Sequence, residues 1–425
     1  MSEILEKITS FYINLHDFNG IHISGLGEDF EEVRKDLIKL LESETIIINF
    51  GDRHPNPHIL AFEPESIKEQ IEKLKNLKFP AAEYRNHGIL KIQTNAVSYC
   101  VYPSRNYLRT KINHTRYQDR PFTLLLALGE PQLSFRSFNL RVLEFYRNDP
   151  RYSFDTNDIQ GHISSNSESS VHKQDDTFLQ TFGFAFDREV KNRYVAVYLR
   201  YLSDLTPEHQ QRWKLDEVTG DIFLHPDYAR TSAGHWPEKE SMFVAFCEEI
   251  KIINEMASRI SGKPLFCNTY DQENKPRNFG FLIRPMLTEY EDFGILLDKM
   301  IADNLNRKFF EDKVTPFYFE DSDGVRRQKG TISLLEEWLK KVRFDDPAPF
   351  NEMISDFRAI HNKRHPVAHR VAEDVWDNKY FKEQRELMMK AYGAIRTLRL
   401  ILANHPKTKG INIPDWLFEG KIWTY

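Results

Sequence analysis

The sequence predicts an α+β protein, an N-terminal mixed α/β region followed by a C-terminal helical bundle. Three observations carry that reading. Short runs rich in β-branched and aromatic residues cluster before residue 286. From Thr288 onward the readable elements are all helical. Between them, residues 161–176 (GHISSNSESSVHKQDD) form a Ser-rich stretch without hydrophobic period, the best boundary in the chain.

Taken in order, residues 28–41 place Phe30, Val33, Leu37, Ile38 and Leu41 at helical spacing, and 45–51 follow as a short buried strand. A second helix fits 66–77, and strands are expected over 90–94, 97–102 and 122–128. Segment 161–176 is expected as a long surface loop. Beyond it, 179–187 and 193–202 read as strands, or as a strand and a buried helix. Thr206-Pro207-Glu208 has the pattern of a helix start. A helix over 238–260 opens after Pro237 and ends at Gly262 and Pro264, and a strand pair is expected at 263–270 and 278–285.

Four helices complete the chain, over 289–307, 332–342, 349–363 and 379–404. In the last, Met388, Ala391, Ile395, Leu398 and Leu402 share one face, which is what a bundle needs. The expected domains are therefore 1–160, an α+β domain for ligand or RNA recognition; 161–286, a second mixed α/β domain; and 287–425, the helical bundle. The terminal Trp416, Phe418 and Trp423 are expected to dock on a surface.

Composition excludes several classes. Of 425 residues, 40% are hydrophobic and 28% charged, which a disordered chain would not be. The 58 Lys+Arg against 63 Asp+Glu leave a net charge of −5, too even for wrapping nucleic acid by bulk charge. Cys100, Cys247 and Cys267 are far apart with no C-x-x-C, so no disulfide framework or zinc site is expected, and the cytoplasm is the expected compartment. No apolar run reaches the ~18 residues of a membrane span, and the N-terminal segment lacks the apolar core of a secretory signal. The glycines Gly25 and Gly27 do not open a βαβ unit, and no hydrolase or kinase motif is present, so no cofactor is expected.

The informative stretch is Arg364-His365-Pro366-Val367-Ala368-His369, at the end of the third C-terminal helix. Pro366 forbids a regular helix here and biases His365 to an extended backbone, so Arg364 and His369 flank a turn and can converge. Cleavage of an RNA phosphodiester asks for such a pair. An imidazole takes the proton of a 2′-hydroxyl, and a permanently charged guanidinium holds the phosphate, with no metal ion required.

Arg364 to His369 resembles the R-x(4–6)-H signature of HEPN-domain ribonucleases, in which the motif follows a long helix and precedes the last helix of a small bundle. The resemblance covers the C-terminal third. It implies a metal-independent endoribonuclease with Arg364 and His369 as catalytic residues and His365 as an auxiliary hydrogen-bond donor. It further implies a homodimer whose two motifs face one cleft, an RNA substrate, a regulatory partner or antitoxin, and a role as toxin, anti-phage defence effector or RNA-processing enzyme. His365 stands where the family usually has Asn, and Pro366 is less usual. Two other readings stay open: a non-catalytic RNA- or nucleotide-binding or sensor protein dimerising through its bundle, and a plain cationic cap on the preceding helix.

Three further clusters are weaker. Asp52, His54 and His58 in GDRHPNPH are metal-type ligands on a Pro-rich loop, and His225 and His235 bracket HPDYARTSAGH; solvated turns explain both. Between Tyr102 and Arg120, the cations Arg105, Arg109, Lys111 and Arg116 interleave with Tyr107 and Tyr117, as single-stranded RNA binding would ask, or as a basic loop between two strands would also show.

Overall fold

A computed structural model describes residues 3–52, 54, 56–77, 84–87, 90–93, 99–157, 159–166, 175–189, 192–232, 234–271, 274–320, 324–364 and 373–423. The protein is α+β, as expected, and ends in helices. It divides into two compact units. The first comprises Met1–Val142, Asp149–Ser153 and His162–Trp236; the second comprises Leu143–Asn148, Phe154–Gly161 and Pro237–Tyr425.

The first unit opens with α1 (Glu3–Asn14), β1 (Ile21–His22), α2 (Phe30–Glu42), β2 (Ile46–Phe50), α3 (Ile67–Asn76), β3 (Tyr84–His87), β4 (Leu90–Gln93) and β5 (Tyr99–Pro103). Strand β5 lies between β1 and β2, antiparallel to both, with Ile48 opposite Val101. All five residues of β2 and of β5 are buried, so these strands read as continuous apolar runs rather than alternating ones. Helix α3 starts at a Ser66/Glu69 capping box. On its inner face buried Gln70 accepts from the Ile48 N–H at 2.7 Å, satisfying a strand donor that no neighbouring strand reaches.

Next come α4 (Arg105–Lys111), α5 (Pro121–Ala127) and β6 (Phe135–Phe138). Helix α5 corrects the strand expected at 122–128. Pro121 sits at its first turn and Gly129, at φ 87°, lies just past its end, and a seven-residue apolar run does not by itself distinguish a buried helix from a strand. After α6 (Glu144–Asn148), the strands β7 (Tyr152–Thr156), β8 (Gln160–Ser165), β9 (Phe178–Asp187) and β10 (Arg193–Tyr198) follow, then α7 (Leu199–Ser203), α8 (Pro207–Leu215), β11 (Glu217–Val218), β12 (Ile222–Leu224) and α9 (Pro226–Ser232). Their sheet has the order β11-β6-β10-β9-β8-β7, and β12 also pairs with β9. Residues 193–202 are thus a strand and then a buried helix. The loop expected at 161–176 is corrected in part, because Gly161–Ser165 lie in β8; residues 167–174 lie outside the described residues. Gly183 on β9 admits the Tyr228 ring, which comes within 2.1 Å of where a Cβ would stand.

The second unit is built on β13 (Glu240–Ser241), α10 (Met242–Ser261), α11 (Leu287–Ile301), α12 (Arg307–Phe310), β14 (Tyr318–Glu320), β15 (Arg326–Gln328), α13 (Thr331–Leu339), α14 (Ala348–Asn362), α15 (Lys379–Ala403), α16 (Asp415–Phe418) and β16 (Ile422–Trp423). The expectation that everything after Thr288 is helical is corrected by the β14–β15 ribbon and by β16, which pairs in parallel with β13. That pairing seats the aromatic tail, with Leu417 buried and Phe418 left exposed. Helix α10, which the sequence grouped with residues 161–286, belongs to the unit of the C-terminal helices and packs along α15.

No regular strand pair forms at 263–270 and 278–285 among the described residues. Instead Asn254 of α10 bonds both backbone groups of Phe266, at 2.7 and 2.9 Å, and Asn304 accepts from the Asn268 N–H at 2.8 Å. Side-chain amides take the place of a ladder. Among the described residues no helix is long and apolar enough to cross a membrane.

The α10–α15 contact carries one ion pair out of water. Arg399 Nε donates to Glu249 Oε2, and the two residues are 2% and 0% exposed. Burial raises the Glu249 carboxyl above its ordinary value while Arg399 opposes that rise. Removing one partner strands the other. Glu249→Ala is expected to lower the unfolding free energy in urea by about 3–5 kcal/mol, whereas Glu249→Leu with Arg399→Met keeps most of it.

Candidate functional site

Helix α11 carries Asp298 on its buried face, and α14, packed against α11, ends one residue after His361. The Asp298 side chain is 1% exposed, where an unpaired carboxylate would cost several kcal/mol. Two side chains from the end of α14 meet it, an imidazole and a guanidinium. His361 Nδ1 lies 2.9 Å from Oδ1, and Arg364 Nη1 lies 3.5 Å from Oδ2. The same Nη1 donates to Asp303 Oδ2 at 2.9 Å. With Nδ1–H held by the carboxylate, Nε2 becomes the basic nitrogen of the neutral His361 ring. His361 and Arg364 remain 39% and 43% exposed at their side chains, so both reach solvent from a fixed base.

His361 also lines a cavity of about 810 Å³ within the second unit, with Asp303, Arg307, Lys308, Thr331 and Arg358. Arg307 Nη1 donates to the Lys329 carbonyl at 2.9 Å, and Arg358 pairs with Glu336. Three cations and an imidazole against one lining carboxylate make this space suited to an anion.

Of the residues that the motif singles out, Arg364 sits in this cluster, while His365 and His369 lie outside the described residues. His361 was not singled out by sequence reading. Its signal was its place one turn before Arg364 in HNKRHPVAH, but the partner that distinguishes it, Asp298, is 63 residues away.

The basic segment after Tyr102 is not a loop between two strands: Arg105 and Arg109 lie on α4, which Ser104 caps, and Arg116 lies in a 3-10 turn. Arg105 is committed to Glu63 at 2.7 Å and the Gly129 carbonyl at 3.0 Å. Lys111 and Arg116 lie 5.6 Å from the rings of their neighbours Tyr107 and Tyr117, and Arg109 is exposed. Tyr102 and Tyr117 are buried and offer no stacking face.

The metal-type residues do not converge. Asp52 pairs with Lys73 at 2.6 Å, His54 Nδ1 accepts from the Asn56 N–H at 3.1 Å, and His58 Nδ1 donates to the Gly20 carbonyl at 3.0 Å. Among the described residues His16, Asp17 and Asp204 do gather, all exposed. His235 is exposed, whereas His225 is buried and its Nδ1 accepts from the Asp227 N–H at 3.2 Å, capping α9.

No family model, curated protein or solved structure matches the chain.

Burial pushes the His225 imidazole down to about 4. The unfolded chain binds a proton near pH 6.5 and the folded one does not until about 4, so stability falls as pH drops through that window and is level above it. The contribution is on the order of 3 kcal/mol at pH 4. His225→Asn, which keeps a capping acceptor, is expected to flatten the slope between those pH values in urea unfolding, measured as the difference from the unaltered protein.

Proposed function

We propose that the protein is a metal-independent endoribonuclease of the HEPN type, acting as a homodimer. The observation that carries this reading is the placement of Arg364 beside the Asp298–His361 pair, at a helix end that borders the cation-lined cavity. In the reaction His369 takes the proton of the 2′-hydroxyl, the 2′-oxygen attacks phosphorus, and the P–O5′ bond breaks. Arg364 holds the phosphate as its charge develops, and His365 adds a hydrogen bond. The products are a 2′,3′-cyclic phosphate and a 5′-hydroxyl.

The leaving oxygen needs an acid. In a two-fold dimer the motif of a second copy supplies it, and the two motifs line one cleft. A second reading is favoured by the geometry at Asp298: His361, held through Nδ1, supplies the acid within one chain. A role in defence or as a toxin, with a regulatory partner, follows from the same reading. So does the contribution of Arg105, Arg109, Lys111 and Arg116 to RNA contacts, the last three of which are exposed.

Purified protein is expected to cut single-stranded RNA in EDTA, leave DNA intact, and lose at least about 100-fold in rate in Arg364→Ala or His369→Ala. Activity that requires added Mg²⁺ overturns the mechanism. RNA that is bound but never cut points to the binding or sensor protein. Mixing the two inactive variants restores activity if the site is shared; an active monomer by light scattering, with activity abolished in His361→Gln, assigns the acid to His361.

A further inference from the structure

The cavity wall at Gly330–Ser333 continues from the β14–β15 ribbon, and the two are tied at the base. The Lys329 N–H donates to the Phe317 carbonyl at 3.1 Å, and the Lys329 carbonyl accepts from Arg307, itself a cavity residue. In the ribbon Tyr318 stands opposite Gln328, Phe319 opposite Arg327, and Glu320 opposite Arg326. All six positions are exposed, with Tyr318 at 41% and Phe319 at 46%.

Strand alternation puts Tyr318 and Arg326 on one face and Phe319 and Arg327 on the other. The Arg326 guanidinium stands 4.4 Å over the Tyr318 ring. Each face thus pairs an aromatic ring with a cation. Packing does not explain this, because a two-stranded ribbon has no core to fill, and large apolar rings left in water on such an element point to a ligand.

Charge selects the ligand. Glu320 is at the end of the ribbon away from Lys329, directly opposite Arg326. At the other end are the cavity cations Arg307, Lys308 and Arg358. Arg326 and Arg327 continue the cavity cations along the ribbon, so a polyanion is drawn along it, and rings beside arginines favour one whose bases are unstacked. We propose that single-stranded RNA lies along the Tyr318–Arg326 face of this ribbon, with a base on Tyr318 and adjoining phosphates in the cavity on Arg307, Lys308 and Arg358. The choice of RNA over single-stranded DNA rests on the ribonuclease reading; the path itself is read by binding.

The experiment uses the full chain carrying His369→Ala, to prevent cleavage, and a short fluorescein-labelled oligouridylate followed by anisotropy. Adding Tyr318→Ala is expected to weaken binding roughly 10-fold, while Phe319→Ala, on the opposite face, changes it less than about twofold and duplex RNA of equal length is affected by neither. Lys308→Ala lowers the slope of log affinity against log salt by about 0.7. Circular dichroism and an unchanged urea midpoint confirm that these surface variants fold. Unchanged affinity in the Tyr318→Ala variant, no binding by the parent, or an equal loss for duplex overturns the path. Cleavage by the chain with His369 intact is scored separately. Cleavage with an indifferent ribbon removes the path and leaves the nuclease, and ribbon-dependent binding without cleavage does the reverse.

Discussion

The carboxylate of Asp298, held out of water on α11, sets the arrangement of the site end of the helical unit. A buried acid is tolerated only where cations and donors meet it, and here both the His361 imidazole and the Arg364 guanidinium come from the end of α14. Its demand therefore fixes the register of α14 on α11, the direction of His361 and the starting point of the Arg364 segment together. Asp303 extends the same network to the rim. The cavity inherits its lining from that register, because His361 and Arg358 lie one turn apart on the helix that Asp298 positions.

A similar economy of polar groups holds the rest of the second unit. Asn254 and Asn304 complete backbone hydrogen bonds that strands would otherwise satisfy, and Glu249 with Arg399 locks α10 to α15. Each of these side chains is tolerated because it meets a specific partner, and each such meeting excludes neighbouring registers. The first unit uses the same device where Gln70 serves β2, Gln132 serves Leu60 and Gln210 serves the first turn of α5.

Chemistry and substrate contact are separated within the helical unit. His361 and Arg364 stand at the end of the long, packed α14, which holds position well. The ribbon, by contrast, is exposed on both faces and anchored at its base through Lys329. Rigid groups suit a reaction that depends on alignment, and an exposed aromatic ribbon suits a strand with variable bases.

Much of this was legible along the chain. The helices α2, α3, α14 and α15 were read nearly to the residue, because hydrophobic period is local. The apolar run of α5 was not, since a short buried helix and a short buried strand share one composition, and neither was the segment after α10, whose backbone is satisfied by distant amides. At the site, the sequence by itself determined that a helix leads up to Arg364. Only the tertiary structure decided that His361 belongs beside it, that Tyr102 and Tyr117 face the core, and that the Asp52, His54 and His58 side chains go to three different partners. The physical reason is distance along the chain: a residue's type and period are written locally, but the partner that gives a buried charge or an imidazole its role arrives from an element that only packing brings near.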